Sequence, residues 1–197
     1  MDIETRAREI LDIQLSAMGS LEITPTMTQA IKKLVQARNE GGRVITTGMG
    51  KAGIIATKMS ATLASIGLPS FFVSPAEAGH GDLGRIAPGD LIIVFSNSGS
   101  TAEVISMINH VHALNGGTNV VITIGGSDEP KVPSDIVVSY GVVAESCVVS
   151  KVPSTSTTLM LVIADILAIT AAESLGLDDE TFKERHPGGA IGESYEK

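Results

Sequence analysis

Five short aliphatic runs, at residues 43–47, 70–73, 91–95, 119–124 and 136–138, recur along the chain. They alternate with stretches of helical periodicity or turn chemistry. The runs are apolar at nearly every position, so both faces of each strand must be covered, which requires a parallel sheet with helices packed on both sides. Helices are predicted over 51–66 and 101–114, with a long one after Ser154–Thr158 and a short one before His186. Ahead of the first strand, Ala7, Leu11, Leu15 and Met18 form a helical stripe. A second helix opens at Thr24-Pro25, an N-cap followed by proline in the first turn, and presents Ile31, Leu34 and Val35. The expectation is one domain spanning 1–197, with N-terminal helices and a short C-terminal tail.

Charge and composition exclude several classes. The net charge of −8 is wrong for general nucleic-acid binding, which needs a basic face. An anionic ligand would have to be held by local features. Cys147 is the one cysteine, so no internal disulfide can form, and no signal peptide opens the chain. Residues 159–169 are interrupted by Asp165 and fall short of the ~20 residues that span a bilayer, so a buried helix and a cytoplasmic protein are expected.

In an open parallel sheet, ligands sit beyond the C-terminal ends of the strands. Three corners there carry chemistry. Gly48-Met49-Gly50-Lys51-Ala52-Gly53 matches G-x-G-x-x-G between strand and helix. A dinucleotide site would also need an acid at the tip of the second strand, but that run ends at Val73-Ser74 and Glu77 lies further on. A Walker A loop is excluded, since Ile45 replaces its first glycine and Ala52 its Ser/Thr. Lys51 opposes the helix dipole, which suits a bound anion, although a solvated lysine beside a tight turn is an equal reading. Ser96-Asn97-Ser98-Gly99-Ser100-Thr101 offers hydroxyls, amides and a helix N-terminus to one compact anion. Ser154-Thr155-Ser156-Thr157-Thr158 opens the long helix with five hydroxyls where a cap needs one. Three such corners favour a monophosphate.

Together with Ala78-Gly79-His80-Gly81-Asp82-Leu83-Gly84 and His186-Pro187-Gly188-Gly189, these motifs resemble, in order and spacing, the SIS-domain arabinose 5-phosphate isomerases from about Val44 to Gly192. The resemblance implies an α/β three-layer sandwich with a flavodoxin-like five-stranded parallel sheet. It implies a homo-oligomer, commonly a tetramer, whose active sites are completed across subunits, and no cofactor. The implied reaction interconverts ribulose 5-phosphate and arabinose 5-phosphate, precursor of the Kdo of lipopolysaccharide. Many relatives carry CBS domains; this chain resembles the stand-alone form. Ser100 stands where the family often has an acid, and Cys147-Val148-Val149-Ser150-Lys151 replaces a Cys-Pro-Leu-Gly-Leu stretch.

Lys51, His80, Glu103, Glu145 and His186 match the family's functional positions. Isomerisation through an enediol needs a base at C1/C2, a group that moves hydroxyl protons, and donors for the developing oxyanion. Lys51 would orient substrate or stabilise charge. Ser96, Asn97, Ser98, Ser100 and Thr101, with Gly48 and Gly50, would cradle the phosphate, and Ser154, Thr155, Ser156 and Thr157 would close its other side. Glu145 is expected as the base, its pKa raised by partial burial, with Glu103 second. His186 and His80 compete for ring opening, His186 with reach into a neighbouring subunit. His110 and His112 lie two apart on a helix and so read as surface or interface residues. No spacing makes a metal site. Another SIS isomerase acting on a hexulose or heptulose phosphate, a non-catalytic sugar-phosphate sensor and an NAD-binding module remain as alternatives.

Overall fold

A computed structural model describes residues 1–194. Its sheet is wholly parallel, in the order β2-β1-β3-β4-β5. The strands are β1 (Val44–Gly48), β2 (Ser70–Phe72), β3 (Leu91–Phe95), β4 (Val121–Gly125) and β5 (Ile136–Ser139). The doubly wound α/β architecture expected from the alternating runs is therefore present. The chain leaves β1 towards one edge and returns at β3 to build the other. The reversal between β1 and β3 opens a crevice at their C-terminal ends.

Side-chain alternation in the strands creates the three layers. Leu91, Ile93 and Phe95 of β3 face one core, while Ile92 and Val94 face the other. The first core is covered by α2 (Pro25–Asn39), α3 (Gly50–Ser65) and α6 (Thr155–Ser174), through Leu34, Met59, Leu63, Ile163 and Leu167. The second is covered by α5 (Ala102–Asn115), through Val104, Met107, Ile108 and Val111, with Ala78 of the short α4 (Pro75–Ala78). The polar loop expected before β3 holds α4 and a 3-10 turn, Asp82–Arg85. Two threonines inside β1 are buried at little cost because Thr46 donates to the Ala56 carbonyl and Thr47 to that of Val73, both at 2.7 Å.

Helix α2 starts as its sequence dictates. Thr24 accepts from the Met27 amide and Pro25 fills the first turn. Helix α6 is long and apolar enough to cross a bilayer, yet Met160, Ile163, Leu167 and Ala171 are buried in the core that α2 and α3 share. It is the buried core helix that its sequence suggests. The α1 stripe departs from expectation. Helix α1 (Ile3–Gly19) forms, but none of its residues is buried, and Leu11 and Leu15 are 54% and 52% exposed. The helix leans on α6 with a face that includes Ile13, Gln14, Ala17 and Met18, so Ala7, Leu11 and Leu15 of the stripe point outward. At the other end, α7 (Asp179–Glu184) is followed by α8 (Gly189–Ser194), where only a tail was expected.

Candidate active site

Strand register brings the first two corners together, and the packing of α6 against α3 adds the third. Gly48 pairs with Phe95 and Phe95 with Ile124, so β1, β3 and β4 end in a row. Over that row lies a cleft of about 490 Å³ lined by Gly50 and Lys51 from the first corner, Ser96, Asn97, Ser98 and Thr101 from the second, and Ser156 and Thr157 from the third. The N-termini of α3, α5 and α6 all face this cleft. Neither Met49 nor Thr101, the N-caps of α3 and α5, makes a side-chain cap. Unsatisfied amides and the positive ends of two helix dipoles are thus left for a ligand, the arrangement that binds an oxyanion. Lys51 is exposed at the mouth and has no hydrogen bond or ion pair among the described residues.

The glycines of the first corner have a packing reason. A Cβ at Gly48 would stand 2.8 Å from the Phe95 carbonyl oxygen, and one at Gly53 2.6 Å from that of Gly48. Gly50 takes φ +56. These residues let α3 start directly against the strand ends, so G-x-G-x-x-G here reports close helix–sheet contact. Gly48 itself lies beneath the cleft and does not line it.

The second corner is held from several sides. Ser96 and Thr101 hydroxyls lie 3.2 Å apart. The amide and hydroxyl of Ser100 donate to Ser98 Oγ at 3.3 and 2.9 Å, so Ser100 braces the loop and stays outside the cleft lining. Gly99 has φ +61, and a Cβ there would strike Pro130 at 2.3 Å.

At the third corner the structure reassigns most of the hydroxyls. The Glu145 carboxylate accepts from the amide and hydroxyl of Ser154 (2.8 and 3.0 Å), from the Ser156 amide (3.3 Å) and from the Ser156 hydroxyl. Thr157 and Thr158 donate back to the Ser154 carbonyl at 2.8 and 3.1 Å. Thr155 is buried, its Oγ1 without a hydrogen-bond partner among the described residues. Ser154 and Thr155 do not line the cleft, and of the five hydroxyls two tie Glu145 to the helix and two bond back to the Ser154 carbonyl.

That arrangement overturns the expected raised pKa of Glu145. Burial pushes its carboxyl upward, but the hydrogen bonds from Ser156 and Ser154 outweigh burial and hold it below the ordinary carboxylate range. Glu145 is a charged cap on α6, complementary to the helix dipole.

The remaining expected residues are not gathered in the cleft of one chain. Glu103, in the first turn of α5, lies on the opposite side of that helix, in a groove with Ser106 and His110 against α4. His110 Nδ1 bonds the Ser106 carbonyl at 2.7 Å. His80 is exposed just beyond α4, at the same end of the sheet as the cleft. His186 sits after α7, stacked on Phe182 at 3.9 Å with Nδ1 2.8 Å from the Phe182 carbonyl. Its neighbour Arg185 lies against Gly67, beyond the far end of α3. Helix α3, of 16 residues and so about 24 Å long, therefore separates this region from its own chain's cleft.

Sequence reasoning missed Gly125 and Tyr140. A Cβ at Gly125 would stand 2.1 Å from the Ser96 carbonyl oxygen. The Tyr140 hydroxyl donates to Asn97 Oδ1 at 2.7 Å. The Gly125-Gly126 pair closing a strand was the one visible signal.

A SIS domain model matches residues 37–170, which contain all three corners. The chain belongs to the SIS domain family. Among curated SIS relatives, the arabinose 5-phosphate isomerase KdsD of Pseudomonas aeruginosa is 37% identical over 195 residues, covering 98% of this chain and 58% of that protein. KpsF of Escherichia coli, of the same activity, is 39% identical over 188 residues, covering 95% and 57%. This SIS chain thus spans a little under three-fifths of the curated relatives' length. Two solved structures match it throughout. One is a candidate phosphosugar isomerase involved in capsule formation from Bacteroides fragilis, 36% identical with TM-score 0.92, covering 95% and 99%. The other, from E. coli CFT073, was solved in complex with arabinose 5-phosphate, and is 33% identical with TM-score 0.85, covering 95% and 100%.

Proposed function

We propose that this SIS domain is an aldose–ketose isomerase that interconverts ribulose 5-phosphate and arabinose 5-phosphate. One observation carries the reading: a single cleft is lined by Lys51 and by hydroxyl and amide groups where three helix N-termini converge. Such a site fits a terminal phosphate. The complex of a 33% identical relative with arabinose 5-phosphate supports that class of ligand.

Phosphate held by Ser96, Ser98, Thr101 and the helix ends fixes the sugar by one terminus. Lys51 at the mouth then offers positive charge to the enediolate oxygen. Glu145 already accepts four hydrogen bonds, which opposes its use as the proton-abstracting base, so its part is to hold Ser156 and the start of α6. The C1/C2 base in this reading is His186 of a second copy of the chain. Its Nδ1 is committed to the Phe182 carbonyl, leaving the Nε2 lone pair for a proton. His80 and Glu103, at the cleft's end of the sheet, are placed to move hydroxyl protons. The outward apolar stripe on α1 and exposed Val142, Val148 and Val149 fit a homo-oligomer, a tetramer being the family's common form.

The test is incubation with ribulose 5-phosphate and identification of the product. Arabinose 5-phosphate is expected; turnover of a hexulose or heptulose phosphate alone would move the assignment to another SIS isomerase. A second reading, a sugar-phosphate sensor without chemistry, is favoured by the lack of an unengaged base in one chain's cleft among the described residues. Binding without turnover would establish it. Site sharing has its own signature. Lys51→Met and His186→Ala should each cut kcat/KM at least about a hundredfold. Co-refolding the two inactive variants should restore a sizeable fraction of activity, because some clefts receive both wild-type residues. No recovery would place His186 outside the site.

A further inference from the structure

We propose that Tyr140 is a positioning residue for the cleft: its hydroxyl fixes the Asn97 carboxamide so that the amide's donor end is the one offered to ligand. The inference rests on reading the cleft as an oxyanion site. Asn97 lines that cleft, and Tyr140, one of two tyrosines in the chain, approaches it from behind.

Tyr140 follows β5 directly and is itself well anchored. Its amide donates to the Gly125 carbonyl at 3.0 Å, and its half-buried ring packs against the core formed by α2, α3 and α6. The phenol is therefore presented from a rigid strand end. At 2.7 Å it donates to Asn97 Oδ1. Burial first, and then the nearby negative charge of Glu145, raise the phenol's pKa, so at neutral pH it is a neutral O–H.

Asn97 is held at its backbone as well, its carbonyl accepting from the Gly126 amide at 2.9 Å. A Cβ at Gly126 would come within 2.8 Å of Asn97 Oδ1, so that glycine leaves room for the amide oxygen on the side away from ligand. Flipping the carboxamide would set an N–H₂ group against the phenol and break the bond in which the phenol donates, at the cost of about one neutral hydrogen bond. With Oδ1 engaged, Nδ2 remains for the cleft. The lining then presents N–H, O–H and ammonium donors together, and a bound group must be rich in acceptor oxygen. A carboxamide free to rotate would present its oxygen to the ligand part of the time and repel it.

The experiment compares wild type, Tyr140→Phe, Asn97→Ala and the double variant by calorimetric titration with inorganic phosphate and, separately, with arabinose 5-phosphate. Tyr140→Phe keeps the ring and its packing, and should weaken binding of both ligands about fivefold to tenfold, the worth of one neutral hydrogen bond. In the Asn97→Ala background the same change should add less than about twofold, because the group it positions is gone. In turnover, Tyr140→Phe should raise KM by the same factor and hold kcat within about twofold, a split that general loosening of the fold would not give. Unchanged affinity in Tyr140→Phe, or equal losses in both backgrounds, would overturn the proposal. Binding of inorganic phosphate that depends on Tyr140, with no binding of the sugar phosphate, would uphold the positioning role while sinking the isomerase reading.

Discussion

Replacing Glu145 by alanine unfastens the third corner. Four hydrogen bonds to one carboxylate are lost, and Ser156, which is buried, keeps an amide and a hydroxyl with no acceptor. Hydrogen bonds to charged acceptors and unsatisfied buried donors set the scale, so stability should fall by about 2–4 kcal/mol in chemical denaturation. The start of α6 forms one wall of the cleft, so phosphate affinity should fall in the same variant. A residue acting only as a base would show the reverse pattern, with kcat lost and both binding and stability kept. Glu145→Gln separates the two by pH. The folded-state carboxyl lies below its unfolded value, so its contribution is fully present above the ordinary carboxyl range near ~4.3 and is lost as pH falls through the lower folded value. The stability gap between wild type and Glu145→Gln should therefore be widest at neutral pH and close below pH ~4. A gap independent of pH would refute the charged-cap role.

Gly125→Ala should be the most damaging small substitution near the site. Its Cβ would stand 2.1 Å from the Ser96 carbonyl oxygen and 3.0 Å from the carbonyl carbon, both backbone atoms that cannot swing aside. Either β4 moves away from β3 or the Ser96-Asn97-Ser98-Gly99 loop is displaced. Overpacking of this kind reaches about 3 kcal/mol, a large share of the ~5–15 kcal/mol that holds a domain together. The expected result is a thermal midpoint lowered by several degrees and phosphate binding reduced beyond what the lost stability explains. Retention of wild-type binding and midpoint would show that the loop tolerates the shift.

Much of this could be read along the chain because it is encoded locally. Short runs apolar at nearly every position determine strands covered on both faces, Thr24-Pro25 starts a helix, and the β-to-α corners carry glycine- and hydroxyl-rich motifs. Those signals located the sheet, the cleft and most of its lining, including Lys51, Ser96, Ser98, Thr101 and Ser156. The roles of Glu145 and of the Ser154–Thr158 hydroxyls were less legible. A serine-rich helix start looks the same whether its hydroxyls face a ligand or a carboxylate nine residues earlier in sequence. Tyr140 and Gly125 gave almost no signal, because each acts only through a loop that another strand brings to it.

The sequence by itself determined the parallel α/β fold and the three glycine- and hydroxyl-rich corners, because each depends on residues within a few positions of one another. Only the tertiary structure decided which candidates share a cleft. Register placed Gly48 beside Phe95 and so drew the first two corners together, and the packing of α6 against α3 brought in the third. The length of α3 carried His186 to the far end of the same chain. The hydrogen bonds that Glu145 accepts at the start of α6 lower a carboxyl pKa that burial alone would raise. Distances across a sheet and charges in a folded environment arise from contacts between residues far apart in the chain, which no local pattern contains.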